Sequence, residues 1–248
     1  MAKQNLGIGI DGCRGGWLLV GFYGHAATMH LLPQIEEVGS LDLPAQIPIW
    51  IDMPIGLVDV GPEGRTCDQL ARKKLSPIRH SSVFTPPCRA AAYAEKLAAS
   101  AINFKHTEKK LSQQSLNIIP KIRELDAYLQ SLEEALAKRW FEAHPELVFA
   151  ALNAGQPLAH KKKTVEGEQQ RINLLKPCFA GVHDWLQEAR QVHLRKRVLP
   201  DDIVDALGLA VANFLVQTRQ AERTTLPANP PLDGVGFPQR IVYAKPLK

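Results

Sequence analysis

Four aspartates carry the chemistry this sequence offers. Asp11 closes the apolar run Leu6-Gly7-Ile8-Gly9-Ile10, and the glycine-rich stretch Gly12-Cys13-Arg14-Gly15-Gly16 follows it at once. Asp52 closes a second apolar run, Ile47-Pro48-Ile49-Trp50-Ile51, and Met53-Pro54-Ile55-Gly56 follows. Asp202 and Asp205 sit at the start of a long apolar stretch, three residues apart and so on one helical face. Singly, each has a structural explanation: Asp-Gly is a turn signal, and an acid in a first helical turn favours the helix dipole. Together they ask for a cation. A carboxylate at the mouth of a buried strand costs folding energy unless it is paired, and clustered carboxylates raise one another's pKa values. Magnesium takes hard oxygen ligands, and two such ions about 4 Å apart can clamp the attacking and leaving oxygens of a phosphodiester.

The elements that must position these acids can be read from the pattern. Apolar runs at residues 6–11, 17–23 and 25–32, joined by short spacers, predict an antiparallel meander. A short helix at 34–43 leads to a strand at 47–52, apolar enough to be buried on both faces and to lie parallel to the first strand. Asp11 and Asp52 would then emerge side by side. Residues 61–136 read as a helical insertion, with helices at 65–75, 90–101, 109–116 and 120–136 and a Pro-containing loop at 81–89. A short strand at 139–144 carries Glu142, and Pro145 opens the next helix, which stops near Gly155. A polar loop at 161–167 holds Lys162 and Lys163. Helices at 168–175 and 183–192 precede the final one, with Asp201 as its expected N-cap. The tail shows one edge strand, near 240–243.

The 248 residues suffice for one domain with an insertion, and 45% hydrophobic content is that of a globular chain. No apolar run reaches the length of a membrane span, and residues 1–5 lead straight into the first strand without the pattern of a signal peptide. A cytoplasmic location and no membrane partner are expected. Cys13, Cys67, Cys88 and Cys178 contain no Cys-x-x-Cys pair, which argues against a zinc knuckle and predicts no disulfides. The net charge of +5 is compatible with a phosphate-rich partner. With only 6% aromatic residues there is no evident base-stacking platform, so any nucleic acid would be held by its backbone.

A strand Asp, a second acid on a neighbouring parallel strand and a carboxylate on a C-terminal helix resemble the ribonuclease H-like superfamily. Asp202 to Ala210 looks like the last helix of its Holliday-junction resolvases. More closely, the chain resembles the bacterial and archaeal DUF429 family, predicted to be ribonuclease H-like nucleases. The matching motifs are Ile10 to Trp17, Ile51 to Leu57, Arg65-Thr66-Cys67-Asp68 with Ala71-Arg72, Ser82-Val83-Phe84, Glu142 to Glu146, Lys163-Thr164 and Asp202 to Ala206. The resemblance implies a mixed five-stranded α/β sheet flanked by helices, with the helical insertion between its fourth and fifth strands. It implies metal ligands at Asp11, Asp52 and Asp202 or Asp205, served by two Mg2+ or Mn2+ ions. Glu142 and His144 are candidates for a supporting catalytic role. Arg14, Arg65, Arg72, Lys162 and Lys163 are candidates for phosphate or substrate contact. The activity expected is hydrolysis of DNA or RNA. The open edge of a mixed sheet could pair a second copy into a homodimer. Two alternatives stand beside this. One is an ATP-handling enzyme of the actin-like branch, whose first phosphate loop Asp11 to Gly16 resembles and whose second is poorly matched by Asp52 to Gly56. The other is a non-catalytic binding module, which would gain nothing from clustered acids near phosphate.

Overall fold

A computed structural model describes residues 6–247; the lead-in at residues 1–5 lies outside them. The run into Asp11 forms strand β1 (Gly7–Cys13) and returns through a tight turn as β2 (Gly16–Phe22), followed by β3 (Ala27–Leu32). A 3-10 segment at Ile35–Ser40 leads to β4 (Ile49–Asp52). Five helices follow: α1 (Thr66–Leu75), α2 (Arg89–Ala92), α3 (Lys96–Thr107), α4 (Gln113–Ser131) and α5 (Glu134–Ala137). Strand β5 (Trp140–Glu142) then re-enters the sheet. Helices α6 (Pro145–Leu152), α7 (Val165–Leu175), α8 (Val182–Val192) and α9 (Pro200–Gln217) precede a ribbon of β6 (Ala221–Leu226) and β7 (Ile241–Pro246).

The sheet order is β3-β2-β1-β4-β5. β1, β2 and β3 pair antiparallel; β4 runs parallel to both β1 and β5. This is an α/β fold with a mixed five-stranded sheet flanked by helices, consistent with the ribonuclease H-like architecture. Its two faces carry separate cores. Leu18, Val20, Phe22 and Trp50 pack under α6 and α9 on one side. Ile8, Ile10, Leu19 and Ile51 pack under Ile122, Leu125 and Leu129 of α4 on the other. The alternation along β1 follows from strand geometry: Ile8 and Ile10 face α4, so Gly7, Gly9 and Asp11 face α9. Among the described residues, no helix is long and apolar enough to cross a membrane.

Four local expectations need correction. The alanine-rich stretch 90–101 is two helices, because Arg123 donates to the carbonyls of Ala92 and Ala94, both at 2.7 Å, and satisfies a helix end there. Pro120 does not start a helix; it lies inside α4, which begins at the N-cap Ser112, whose hydroxyl accepts the Ser115 N–H at 3.0 Å. Asp201 is not the N-cap of α9. Pro200 occupies the first turn, and Asp202 reaches back to accept the Leu199 N–H at 2.8 Å. The tail holds two paired strands, not one, and β7 touches β5 through a parallel bridge between Ala143 and Val242.

Candidate active site

Glycines of β1 bring the acids together. A Cβ on Gly9 would lie 2.2 Å from the carbonyl oxygen of Ala206, and one on Gly7 would lie 2.0 Å from that of Ala210. Helix α9 therefore rests directly on the β1 backbone, with no side-chain layer between. On its other side Gly208 gives the Phe149 ring room. Asn213 further along α9 donates to the carbonyls of Ile8 at 3.0 Å and Pro48 at 2.7 Å, tying the helix to both central strands. This docking sets the first turn of α9 over the end of β1.

There Asp11 and Asp52 are register partners on adjacent parallel strands, and their side chains share the α9 face. Among the described residues neither carboxylate has a hydrogen-bond partner. Asp202 and Asp205 face them from α9, both buried. Asp205 Oδ2 accepts from Lys162 Nζ at 2.5 Å, and its Oδ1 is buried with no partner. The same ammonium lies 3.6 Å from Asp201. The loop carrying Lys162 is held by the Thr164 hydroxyl, which accepts the Gly167 N–H at 3.1 Å. Gly167 itself leaves no space for a side chain against the Lys161 carbonyl.

The electrostatics record this crowding. Burial, then Asp52 and Asp205, push Asp11 well above the ordinary carboxylate range. Burial lifts Asp52 to about 6, with Asp205 adding to it while His144 and Lys162 oppose. Burial likewise lifts Asp202 to about 6 against the hydrogen bond from Leu199. At Lys162 burial works against the charge, but Asp205, Asp11 and Asp52 outweigh it and hold the ammonium above the usual lysine range. Several carboxylates thus converge on a single ammonium.

The other residues singled out in the sequence lie as follows. Glu142 pairs with Ile51, one step out of phase with Asp52, and so faces the opposite side of the sheet. There it accepts from Arg65 at 2.7 Å and from the Ile55 N–H at 2.8 Å. Arg65 also holds Asp68 at 2.5 Å and the carbonyls of Ile55 and Gly56. The structure does not bring Glu142 and Arg65 to the acids; they brace the loop that follows Asp52. Arg72 donates to the Val83 carbonyl and the Thr85 hydroxyl, each at 2.9 Å. His144 lies beside Asp52, but both ring nitrogens are engaged: Nδ1 accepts the Glu146 N–H and Nε2 reaches the Ser82 carbonyl, each at 3.2 Å. Arg72 and His144 together fix the Ser82-Val83-Phe84 loop beside the site. Lys163 is exposed. Arg14, exposed at the hairpin tip, lines a cleft of about 610 Å³ together with Gly12, Met53, Lys121 and Asp202.

Two residues of this region were not singled out in the sequence. Glu146, in the first turn of α6, is buried, held by Arg171 at 2.5 Å, and raises the pKa of Asp52. Its Oε2 is buried without a partner. The signal was available, since an acid in the first turn of a helix is the same cue that marks Asp202. Lys121 of α4 reaches Gly12, donates to the Gly16 carbonyl at 2.6 Å and lies 4.4 Å from the centroid of the Trp17 ring. Burial lowers its pKa, against the attraction of Glu124, Asp11 and Asp202. Nothing in the local sequence marks it.

The donor set fits a hard divalent cation by type: oxygen only, with Asp205 Oδ1 and Glu146 Oε2 orphaned. Among the described residues, no group of three or more His, Cys, Asp or Glu side chains is arranged as a preformed metal site. Lys162 supplies the positive charge that these acids face.

The fold and site define an α/β protein with an acidic centre at the ends of its parallel strands. Residues 9–231 match the family described as "Protein of unknown function (DUF429)", and the chain belongs to that family. No curated protein and no solved structure gives a significant match.

Proposed function

We propose that the protein is a ribonuclease H-like nuclease, hydrolysing phosphodiesters of DNA or RNA with Mg2+ or Mn2+. The observation that carries this reading is the pairing of Asp11 with Asp52, without hydrogen-bond partners among the described residues and close to Asp205, whose Oδ1 is orphaned. Asp11, Asp52 and Asp205 would hold a pair of ions, with Asp202 and Glu146 at their margin. Bound there, divalent cations supply Lewis-acid polarisation of the phosphate and a low-pKa water. The chain's own groups do the rest. Lys162 balances the carboxylates and stands where it can offset charge developing on phosphate. Arg14 and Lys121 flank the cleft with cations for the strand on either side. His144, beside Asp52, positions the Ser82 loop through its ring nitrogens.

Nothing observed favours the ATP-handling alternative. Gly56, where a second phosphate loop would have to turn, is packed against Phe237 and Gln239 of the chain itself. A cytoplasmic location accords with four free cysteines. A homodimer would use the outer edge of β3, which is unpaired among the described residues.

The test is cleavage of labelled single- and double-stranded DNA and RNA in Mn2+, Mg2+ or EDTA by wild type and Asp11→Asn. Metal-dependent cutting by wild type alone is expected. Equal cutting by the variant refutes the proposal. No cutting together with no stabilisation by Mn2+ points to a binding module.

A further inference from the structure

Most arginines of the sheet and its insertion are neutralised or capped. Arg65 holds Asp68 and Glu142, Arg89 holds Asp126 and Asp233, Arg171 holds Glu146, and Arg139 binds the carbonyls of Ile47 and Pro44. Arg223 and Arg240 differ. Their guanidinium carbons lie 4.3 and 4.2 Å from the centroid of one ring, Phe141, and among the described residues neither has a carboxylate or any hydrogen-bond partner. Stacking on an aromatic ring fixes the plane of a guanidinium and leaves its N–H edge free, the arrangement suited to a bidentate phosphate contact. Burial and the repulsion of Arg223 lower Arg240 to about 10, so the pair is short of negative charge. Lys74 of α1 lies 5.3 Å from the centroid of the Tyr243 ring on the same ribbon.

The position of the pair matters as much as its charge. Phe141 is the register partner of Trp50, two residues before Asp52 on the neighbouring strand and on the same face. At about 3.3 Å per residue and about 4.8 Å between strands, their backbones are roughly 8 Å apart. Arg240 immediately precedes β7, whose Val242 bridges to Ala143 beside Asp52. The ribbon therefore carries, on the β5 side of the sheet, two cations unpaired among the described residues, and Arg240 lines a cleft of about 780 Å³ there with Ile55, Trp140, Phe141 and Phe237.

We propose that Arg223 and Arg240 form a phosphate-binding pair that holds the backbone of a single nucleic-acid strand on the β5 side of the sheet. The ligand class rests on the nuclease reading, but the pair is tested without cleavage. Binding of fluorescein-labelled oligo-dT and oligo-U is followed by anisotropy in EDTA between about 50 and 200 mM salt. The proteins are wild type, Arg223→Gln/Arg240→Gln, Arg223→Lys/Arg240→Lys and, as a control outside the pair, Asp11→Asn. Loss of two phosphate contacts makes the slope of log K against log salt shallower by about 1.4 and weakens binding about tenfold or more at low salt. The lysine variant keeps the slope, because it keeps the charges. Asp11→Asn binds at least as tightly as wild type. If wild type binds neither oligonucleotide, or if the glutamine variant, shown folded by its melting temperature, keeps the wild-type slope, the pair is not a phosphate site. Competition by heparin that is stronger than by oligonucleotide would reassign the ligand to another polyanion and overturn the proposal. Failure of cleavage with a changed salt slope would sink the nuclease reading and leave the binding pair standing.

Discussion

Replacing Asp52 by Asn should make the metal-free protein more stable while removing its response to metal. In the folded protein Asp52 holds its proton up to about 6, against an ordinary 3.8. Raising a carboxyl pKa by that amount corresponds to about 3 kcal/mol. Asp52 is only partly buried, so about 2 kcal/mol is the safer figure. The sign follows from proton binding. Between pH 4 and 6 the folded state holds a proton that the unfolded chain has released, so stability falls as pH rises through that window and then levels off. Asp202, also raised to about 6, titrates in the same window and steepens the fall. Asparagine has no proton to lose. The variant should therefore match wild type near pH 4 and exceed it by about 2 kcal/mol at pH 8, or roughly 4–8 °C in melting temperature for a chain of this size. The assay is thermal unfolding in EDTA across pH 4 to 8, repeated with Mn2+. Metal at about a hundred times its dissociation constant stabilises wild type by about 2.7 kcal/mol, and the variant should gain far less. A variant less stable than wild type at pH 8 in EDTA, or a difference that does not change with pH, would refute the electrostatic account of the site.

Arg65→Met should lower stability by about 3–5 kcal/mol, because it strands Asp68 and Glu142 in a buried site; urea unfolding measures this. A well-folded Arg65→Met that had lost nucleic-acid binding would return Arg65 to the substrate. Gly9→Ala should cost upwards of about 3 kcal/mol, because its methyl would meet the Ala206 carbonyl oxygen at 2.2 Å and push α9 off β1. A shift in the urea midpoint worth less than about 1 kcal/mol would show that the helix can yield. Lys162→Met should be less stable than wild type in EDTA at pH 8 and should gain more from Mn2+, since Asp205 loses the ammonium it is bonded to. An unchanged or smaller Mn2+ gain in the melting temperature would remove Lys162 from the charge balance.

Much of this arrangement was legible in the sequence, for reasons that also mark the limits. Two apolar runs ending in acids read correctly as the adjacent parallel strands β1 and β4, because a strand buried on both faces has little choice of neighbour. The long apolar stretch that begins at Asp202 read correctly as the final helix, α9. Strand β6 went unseen because Ala221-Glu222-Arg223-Thr224-Thr225-Leu226 buries only its two ends, so its alternation is too weak to find. The side of the sheet that Glu142 faces was not legible. Side chains flip with each residue, and a shift of one in register sends the same acid to the other face. Arg65 and Glu142 stand far apart in the sequence, and their partnership exists only once α1 is folded against the loop after Asp52.

The contrast between the two buried groups of charge supports the proposed site better than either does alone. On the α4 side of the sheet, Arg65 donates to Asp68, to Glu142 and to two carbonyls, and Glu142 also accepts a backbone N–H. That network is closed and consistent with a bracing role. On the α9 side, Asp11 and Asp52 have no hydrogen-bond partner among the described residues, Asp205 and Glu146 each keep a bare oxygen, and the Lys162 ammonium is drawn by Asp205, Asp11 and Asp52 together. A chain able to satisfy one buried acid so completely has left its neighbours across the sheet open. Bare buried carboxylate oxygens lower stability, and such a cost persists where binding needs it. Arginines hold Asp68, Glu142 and Glu146, but among the described residues none reaches Asp11 or Asp52, the two acids to which the proposed nuclease reading assigns the cations.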